Sequence, residues 1–155
     1  RKDLADGFFW PEPKLIMPPT VGELLHDLMK AEGWRGADAW RAQANTIAPT
    51  LVGGSKKHGG PDLGPTRAKK AWASIGVCGM GIANEPPTEC FEGMPRLTTR
   101  MAARIQGFPD DWQFHGKKTA VYRQIGNAFP PPVAYAVATQ IFKALSAKRL
   151  VQVAR

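Results

Sequence analysis

The sequence predicts a small α+β domain, much of it irregular, with short strands and a C-terminal helical segment. Apolar residues recur at helical spacing in the stretches 20–33, 97–106 and 131–145. Residues 45–65 combine a short β-branched stretch with many glycines and prolines, which predicts a strand that leads into a long irregular loop. Four prolines within residues 1–19 favour an extended connector over a helix or a central strand.

The first predicted helix follows this connector, which starts at Arg1 as if leaving a strand of a preceding segment. Thr20 suits the N-cap, and Glu23, three residues later, completes a capping box. An apolar stripe follows at helical spacing, and Gly33 ends the helix. The stripe consists of Val21, Leu24, Leu25 and Leu28.

Three further helical stretches are predicted. Residues 66–76 form one or two amphipathic turns that Gly76 stops, and residues 97–106 form a helix capped by Thr98 or Thr99 and ended by Gly107. The last helix begins at Pro131 or Pro132 and carries apolar residues at helical spacing. These are Val133, Val137, Ile141 and Leu145, and residues 148–155 are expected to be a frayed tail.

Composition favours a polyanionic partner. The 21 Lys and Arg residues against 13 Asp and Glu give a net charge of +8, which many nucleic-acid-binding proteins share with membrane-surface proteins. Cys78 and Cys90 lie twelve positions apart without a CxxC pair, so no metal site is expected. Because no signal peptide or membrane-spanning run is visible, we expect a reducing cytoplasmic setting without membrane contact.

Two long motifs carry a family resemblance. Residues 96–112 read RLTTRMAARIQGFPDDW and residues 122–134 read YRQIGNAFPPPVA. They resemble motifs nine and ten of the DNA (cytosine-5) methyltransferases, in the family's order and spacing. The resemblance implies a connector at residues 1–19, a target recognition domain at 20–95, the motif nine and ten region at 96–147 and a tail at 148–155. It also implies that the C-terminal helical segment packs on a Rossmann-like catalytic domain absent from this chain.

The sequence departs from the family pattern at two positions. Met101 stands where the family usually has Glu, so we expect the second capping box to be lost, at a cost of about 0.5 to 1 kcal/mol. Phe129 replaces a smaller Val after Gly126-Asn127-Ala128, beside the implied cofactor pocket.

The family's catalytic motifs are missing from these residues. The chain contains no Phe-x-Gly-x-Gly cofactor loop, no Pro-Cys nucleophile, no Glu-Asn-Val and no Gln-x-Arg-x-Arg. The family's chemistry needs a thiolate that attacks cytosine, a Glu and bound S-adenosylmethionine. We therefore expect no catalytic residue in this chain and expect an N-terminal catalytic domain or subunit as its partner.

The resemblance implies two sets of site residues. Asn127 and Ala128 match positions that line the S-adenosylmethionine pocket, although Asn127 could equally serve a turn. Double-stranded DNA is the implied ligand of the second set, since glycines let backbone approach a duplex and basic residues reach its phosphates. That set comprises Thr50, Leu51, Gly53, Gly54, Ser55, Lys56, Lys57, His58, Arg67, Lys69 and Lys70.

Plainer interpretations stand beside these. The loop could be solvated without a ligand, Thr50-Leu51 could be ordinary core, and each basic residue could face solvent. Arg35, Arg41 and Arg67 are possible readers of guanine, whereas Arg100 and Arg104 are expected to be structural. An exposed apolar last helix predicts self-association of the isolated chain. An autonomous sequence-selective DNA-binding module or an inactive remnant are the alternative functions.

Overall fold

The computed structural model describes residues 5, 7–13, 17–53 and 60–153, with side chains to residue 146. This part of the chain contains six helices, and it divides into a unit of residues 17–128 and a second unit formed by residues 1–16 and 129–155. The helices are α1 Val21–Lys30, α2 Ala37–Gln43, α3 Thr66–Ser74, α4 Thr99–Ile105, α5 Lys118–Asn127 and α6 Pro131–Val153.

The predicted strands are not formed in the described residues. Their β-type pairing is limited to isolated bridges, Glu32 and Gly33 with Thr88 and Ala83 with Thr98. The β-branched stretch near residue 46 is irregular chain, and Thr46 and Ala44 accept single hydrogen bonds from the first turn of α1. The described fold is therefore helical and irregular, and the α+β prediction is correct only for its helices and irregular connections.

One apolar core holds the unit of residues 17–128 together. α1 packs on α2 and α4, and α4 packs on α5. Most of the largest fully buried side chains come from these helices and from α3, and two come from the irregular connections: Trp72, Tyr122, Leu25, Met29, Met101 and Ile125 from helices, Leu63 and Leu97 from connections. Burying a side chain of this size contributes about 1.5 to 3 kcal/mol each, so packing rather than sheet pairing stabilises the unit.

α1 begins as predicted. The Thr20 side chain accepts a hydrogen bond from the Glu23 backbone N–H, and the Glu23 carboxylate accepts one from the Thr20 N–H. The hydrogen bond from the Thr20 N–H lowers the pKa of Glu23, since it favours the charged carboxylate. Gly33 follows the helix at φ +76°, the left-handed conformation that favours glycine.

α4 keeps a capping box despite the residue change, which corrects the expected loss. Thr98 is the N-cap and accepts from the Met101 N–H, while the Met101 sulfur lies 3.4 Å from the Thr98 nitrogen and accepts its hydrogen. A thioether is a weak acceptor. Met101 is also fully buried, so the same side chain caps the helix and fills the core.

The second unit contains α6 and the described part of residues 1–16. Gly7 lies beside Ala144, which is buried, and the Phe8 and Trp10 rings meet edge to face at 5.3 Å. α6 begins at Pro131 as predicted, but its backbone remains helical to Val153, within the predicted tail. None of the helices in the described ranges is both long and apolar enough to span a membrane.

Apolar side chains on α6 are broadly exposed. In the predicted stripe Val133, Ile141 and Leu145 are each 47% exposed, and Val137 is half-buried. Tyr135 and Phe142 lie outside that stripe and are exposed as well. The apolar surface of α6 is thus wider than the single stripe predicted.

Candidate nucleic-acid interface

The predicted DNA-contacting segment begins at Thr50, which is exposed. Leu51 next to it is buried in the core, so Leu51 holds the segment in place while Thr50 is available to a ligand. Val52 and Gly53 are half-buried. The predicted contact residues Gly54, Ser55, Lys56, Lys57 and His58 lie outside the described residues.

Gly53 packs directly against the end of α5. A Cβ added at Gly53 would overlap the side-chain amide of Asn127. A Cβ added at Gly126 would lie 2.5 Å from the Gly53 nitrogen and 2.6 Å from its Cα. The absence of side chains at both positions is what allows this main-chain contact. It joins the start of the predicted recognition loop to the segment predicted to hold the cofactor.

The side chains predicted to hold S-adenosylmethionine stand at the C-terminal end of α5. Asn127 is exposed, and its amide makes no hydrogen bond within the described structure, while Ala128 is half-buried. A free amide can donate and accept hydrogen bonds, which fits one polar edge of such a cofactor. Asn127 is helical rather than part of an isolated turn. The role of these two residues in holding S-adenosylmethionine stays a prediction.

The predicted phosphate contacts on α3 differ from one another. Arg67 and Lys70 are exposed and have no partner among the described residues, so both can reach a ligand. Lys69 is only a quarter exposed and forms an ion pair of 2.6 Å with Asp62. No sequence pattern signalled that pair, because the two residues belong to different elements.

The three arginines predicted as possible readers of guanine differ in how available their side chains are. Arg35 donates from two guanidinium nitrogens to the Glu89 carboxylate, which fixes it as a surface ion pair. Arg41 and Arg67 are exposed, without a hydrogen-bond partner from their side chains in the described structure. Arg35 is therefore the least available of the three.

Arg104 joins three parts of the helical frame, as expected for a structural residue. Its guanidinium donates to Asp110 through two nitrogens, to Asp27 of α1 and to the Leu24 carbonyl. The hydrogen bonds from Arg104 lower the pKa of both aspartates and raise that of Arg104. Arg100 donates to the carbonyls of Pro109 and Trp112, at 3.3 and 3.4 Å.

Tyr122 lies within motif ten and was not singled out from the sequence. Its side chain is fully buried, and its hydroxyl has no hydrogen-bond partner in the described structure. Burial raises the pKa of Tyr122, and the negative charge of Asp62 raises it further. Both effects favour the neutral form of the phenol over the charged one.

The two cysteines remain free thiols, Cys78 half-buried and Cys90 exposed. Cys78 follows Val77 and Cys90 follows Glu89. The described residues contain no cluster of three or more His, Cys, Asp or Glu side chains that could hold a metal ion.

Comparison with known proteins gives consistent matches. Residues 10–143 match the family model of the C-5 cytosine-specific DNA methylases. The chain is 62% identical over 149 residues to the Type II methyltransferase M.NaeI of Lentzea aerocolonigenes, covering 94% of this chain and 36% of that protein. It is 55% identical over 149 residues to M.NgoMIV of Neisseria gonorrhoeae, covering 94% of this chain and 46% of the relative. The chain thus spans less than half the length of these relatives.

Proposed function

Because this chain belongs to the C-5 cytosine-specific DNA methylase family, we propose that it is the DNA-recognition part of a cytosine-5 methyltransferase of a restriction-modification system. The complete enzyme would transfer a methyl group to cytosine within a specific duplex sequence in the bacterial cytoplasm. One observation carries the proposal. The contact of Gly53 with Gly126 and Asn127 sets the start of the predicted DNA loop beside the predicted cofactor residues, as a methyl transfer to a bound base requires.

The chain's own residues would bind and orient the two substrates. Thr50, Gly53 and the residues 54–58 would face the duplex, with Arg67 and Lys70 at its phosphates. The Asn127 amide and the Ala128 backbone would hold one edge of S-adenosylmethionine. When bound, that cofactor supplies an electrophilic methyl group. The primary role of Lys69 would be its ion pair with Asp62, and contact with DNA would be its secondary role.

We further propose that this chain does not transfer methyl groups alone. In the family the attacking thiolate follows a proline, and neither cysteine here does. The nucleophile and most of the cofactor pocket would come from an N-terminal catalytic domain or subunit. The exposed apolar side chains of α6, including Tyr135 and Phe142, would pack on it, since burying such surface stabilises an interface.

Methyl transfer from labelled S-adenosylmethionine to mixed-sequence duplex DNA tests the proposal. The matched part of M.NaeI would be replaced by this chain, both as a fusion and as a separate chain added to the remaining part. We expect incorporation only when both parts are present. The same fusion with Asn127→Ala, which leaves the rest of the chain unchanged, should have a raised KM for the cofactor.

Two outcomes would contradict the proposal. Methyl transfer by this chain alone would place a nucleophile within it. If neither chimera transfers a methyl group although its catalytic part is folded and binds cofactor, an autonomous DNA-binding module or an inactive remnant becomes the better account. Sequence-selective binding of duplex DNA by the isolated chain would then separate those two.

A further inference from the structure

A basic cavity of about 340 Å³ lies within the unit of residues 17–128. Its walls come from four parts of the chain: residues 60–62, helix α3, residues 80–82 and helix α5. The polar side chains among its lining residues are Asp62, Lys69 and Lys118. The volume falls within the range of about 300 to 1,000 Å³ typical of small-ligand sites.

The charge of this cavity is positive. Two lysines and one aspartate line it, and Lys69 forms an ion pair of 2.6 Å with Asp62, which also accepts a hydrogen bond of 3.0 Å from the Gly64 N–H. Lys118 is half-buried and has no hydrogen bond or ion pair within the described structure. One ammonium group is thus left without a counter-charge from the described residues, and an anion is the ligand that would supply one.

The position of Lys118 is fixed by its surroundings. It stands in the first turn of α5, and Tyr122, one turn later on the same helix face, is fully buried. The opposite walls are also tied together, because the Leu63 N–H donates to the Gly79 carbonyl and Ile82 is buried. The backbone that carries Lys118 is therefore held in place by packing, and its ammonium group stays available to a ligand.

The cavity shares helix α3 with the proposed DNA interface. Gly60, one of its lining residues, follows the predicted DNA loop closely in sequence, and Lys69 shares α3 with the exposed Arg67 and Lys70. Gly60 and Gly81 present no side chain at the walls, so a sugar-phosphate backbone can come close. Resting on the proposed function, we infer that this cavity binds one backbone phosphate of the duplex through Lys118.

Salt-dependent DNA binding tests the inference, using the full 155-residue chain and a labelled mixed-sequence duplex, with and without the catalytic part of M.NaeI. The variants are Lys118→Gln, Lys118→Arg and Lys117→Gln. Lys117 is the matched control, because it is the exposed neighbour of Lys118 but does not line the cavity. Far-UV circular dichroism checks that each variant is folded.

Removing one phosphate contact should lower the slope of log K against log salt by about 0.9. Between 50 and 200 mM KCl the wild-type chain should then lose about 3.5-fold more affinity than Lys118→Gln. Lys118→Arg should keep the wild-type slope, since it retains the charge. Lys117→Gln should change the slope less than Lys118→Gln does.

A wild-type slope in Lys118→Gln, or equal effects of the two glutamine variants, would overturn the inference and leave the proposed function intact. Failure of the wild-type chain to bind duplex DNA under either condition would overturn both. Stabilisation of the chain by inorganic phosphate without any effect of Lys118→Gln on DNA binding would assign the cavity to free phosphate instead.

Discussion

The contact between Gly126 and Gly53 makes a quantitative prediction for Gly126→Ala. In an exposed helix interior, replacing glycine by alanine stabilises by about 1 kcal/mol. Here the new Cβ would lie 2.5 Å from the Gly53 nitrogen and 2.9 Å from the Val52 carbonyl carbon, well inside the usual contact distance of about 3.5 to 4.0 Å. The atoms that this Cβ would meet belong to the main chain of Val52 and Gly53, so no side-chain rotation can relieve the overlap.

Overpacking of this kind costs about 1 to 3 kcal/mol, and the upper end applies because backbone must move. Subtracting the gain in helix propensity of about 1 kcal/mol leaves a destabilisation of about 2 kcal/mol. For a chain of this size that corresponds to a fall in Tm of about 4 to 8 °C. Urea denaturation and thermal unfolding, followed by circular dichroism, measure both quantities.

Gly81→Ala is the matched control. A Cβ at Gly81 would meet its nearest neighbour, an Arg96 guanidinium nitrogen, at the ordinary contact distance of 3.5 Å. We expect its stability to be unchanged or raised by up to about 1 kcal/mol. If Gly126→Ala proves as stable as Gly81→Ala, the close approach of α5 to Gly53 does not exist and the argument for a joined site fails.

Three further predictions follow from single side chains. Gly53→Ala should leave stability nearly unchanged, because the atoms nearest to its Cβ belong to the movable end of Asn127, yet it should raise the KM for cofactor in the chimera; an unchanged KM would refute the role of that amide. Tyr122→Phe should be neutral or stabilising by up to about 1 kcal/mol in urea denaturation, since it removes a buried hydroxyl that lacks a partner, and a loss above that size would show a missed hydrogen bond. Arg104→Met should lower the free energy of unfolding by about 2 kcal/mol near neutral pH, as charge-assisted hydrogen bonds are lost. Because the pKa of each of its two aspartate partners is lowered on folding, the wild-type advantage should be present above about pH 3.9 and disappear as the pH falls below it, whereas equal pH profiles would contradict this linkage.

Local signals in the sequence predicted helix starts and ends well. Thr20 and Thr98 cap their helices, and Gly33, Gly76 and Gly107 follow helices at positive φ. These features depend on neighbouring residues only, so periodicity and capping patterns are sufficient to find them. The start of α6 at Pro131 is likewise a feature that a local signal predicts.

The elements that were not predicted depend on packing. α2 lies between Gly36 and Ala44 without a side-chain cap, and it is fixed by burial of Trp40, whose indole N–H donates to the Gly76 carbonyl. α5 also lacks a side-chain cap and contains Gly126, so its local helix preference is weak. The strand expected near residue 46 needed a partner strand, and β-branched residues alone do not provide one.

The candidate site shows the same division between local features, which the sequence predicts, and contacts between distant segments, which it does not. Motifs nine and ten carried the family resemblance, which the family model confirms, and the structural role predicted for Arg104 is confirmed by its hydrogen bonds. The pairing of Lys69 with Asp62 and the contact of Gly53 with Gly126 arise between elements distant in sequence. A single sequence carries no local signal for such contacts, because they follow from tertiary packing.

Both ends of the segment between Gly53 and Leu63 are held by main-chain interactions, Gly53 against the end of α5 and Leu63 by its bond to Gly79. The entropy cost of closing a loop rises only slowly with its length, by about 0.6 kcal/mol for each doubling. Loops of different length and sequence can therefore be exchanged between these two anchors without moving the helices that carry them. Under the proposed function, exchanging this one short segment is therefore the change expected to alter DNA specificity while the helical frame is kept.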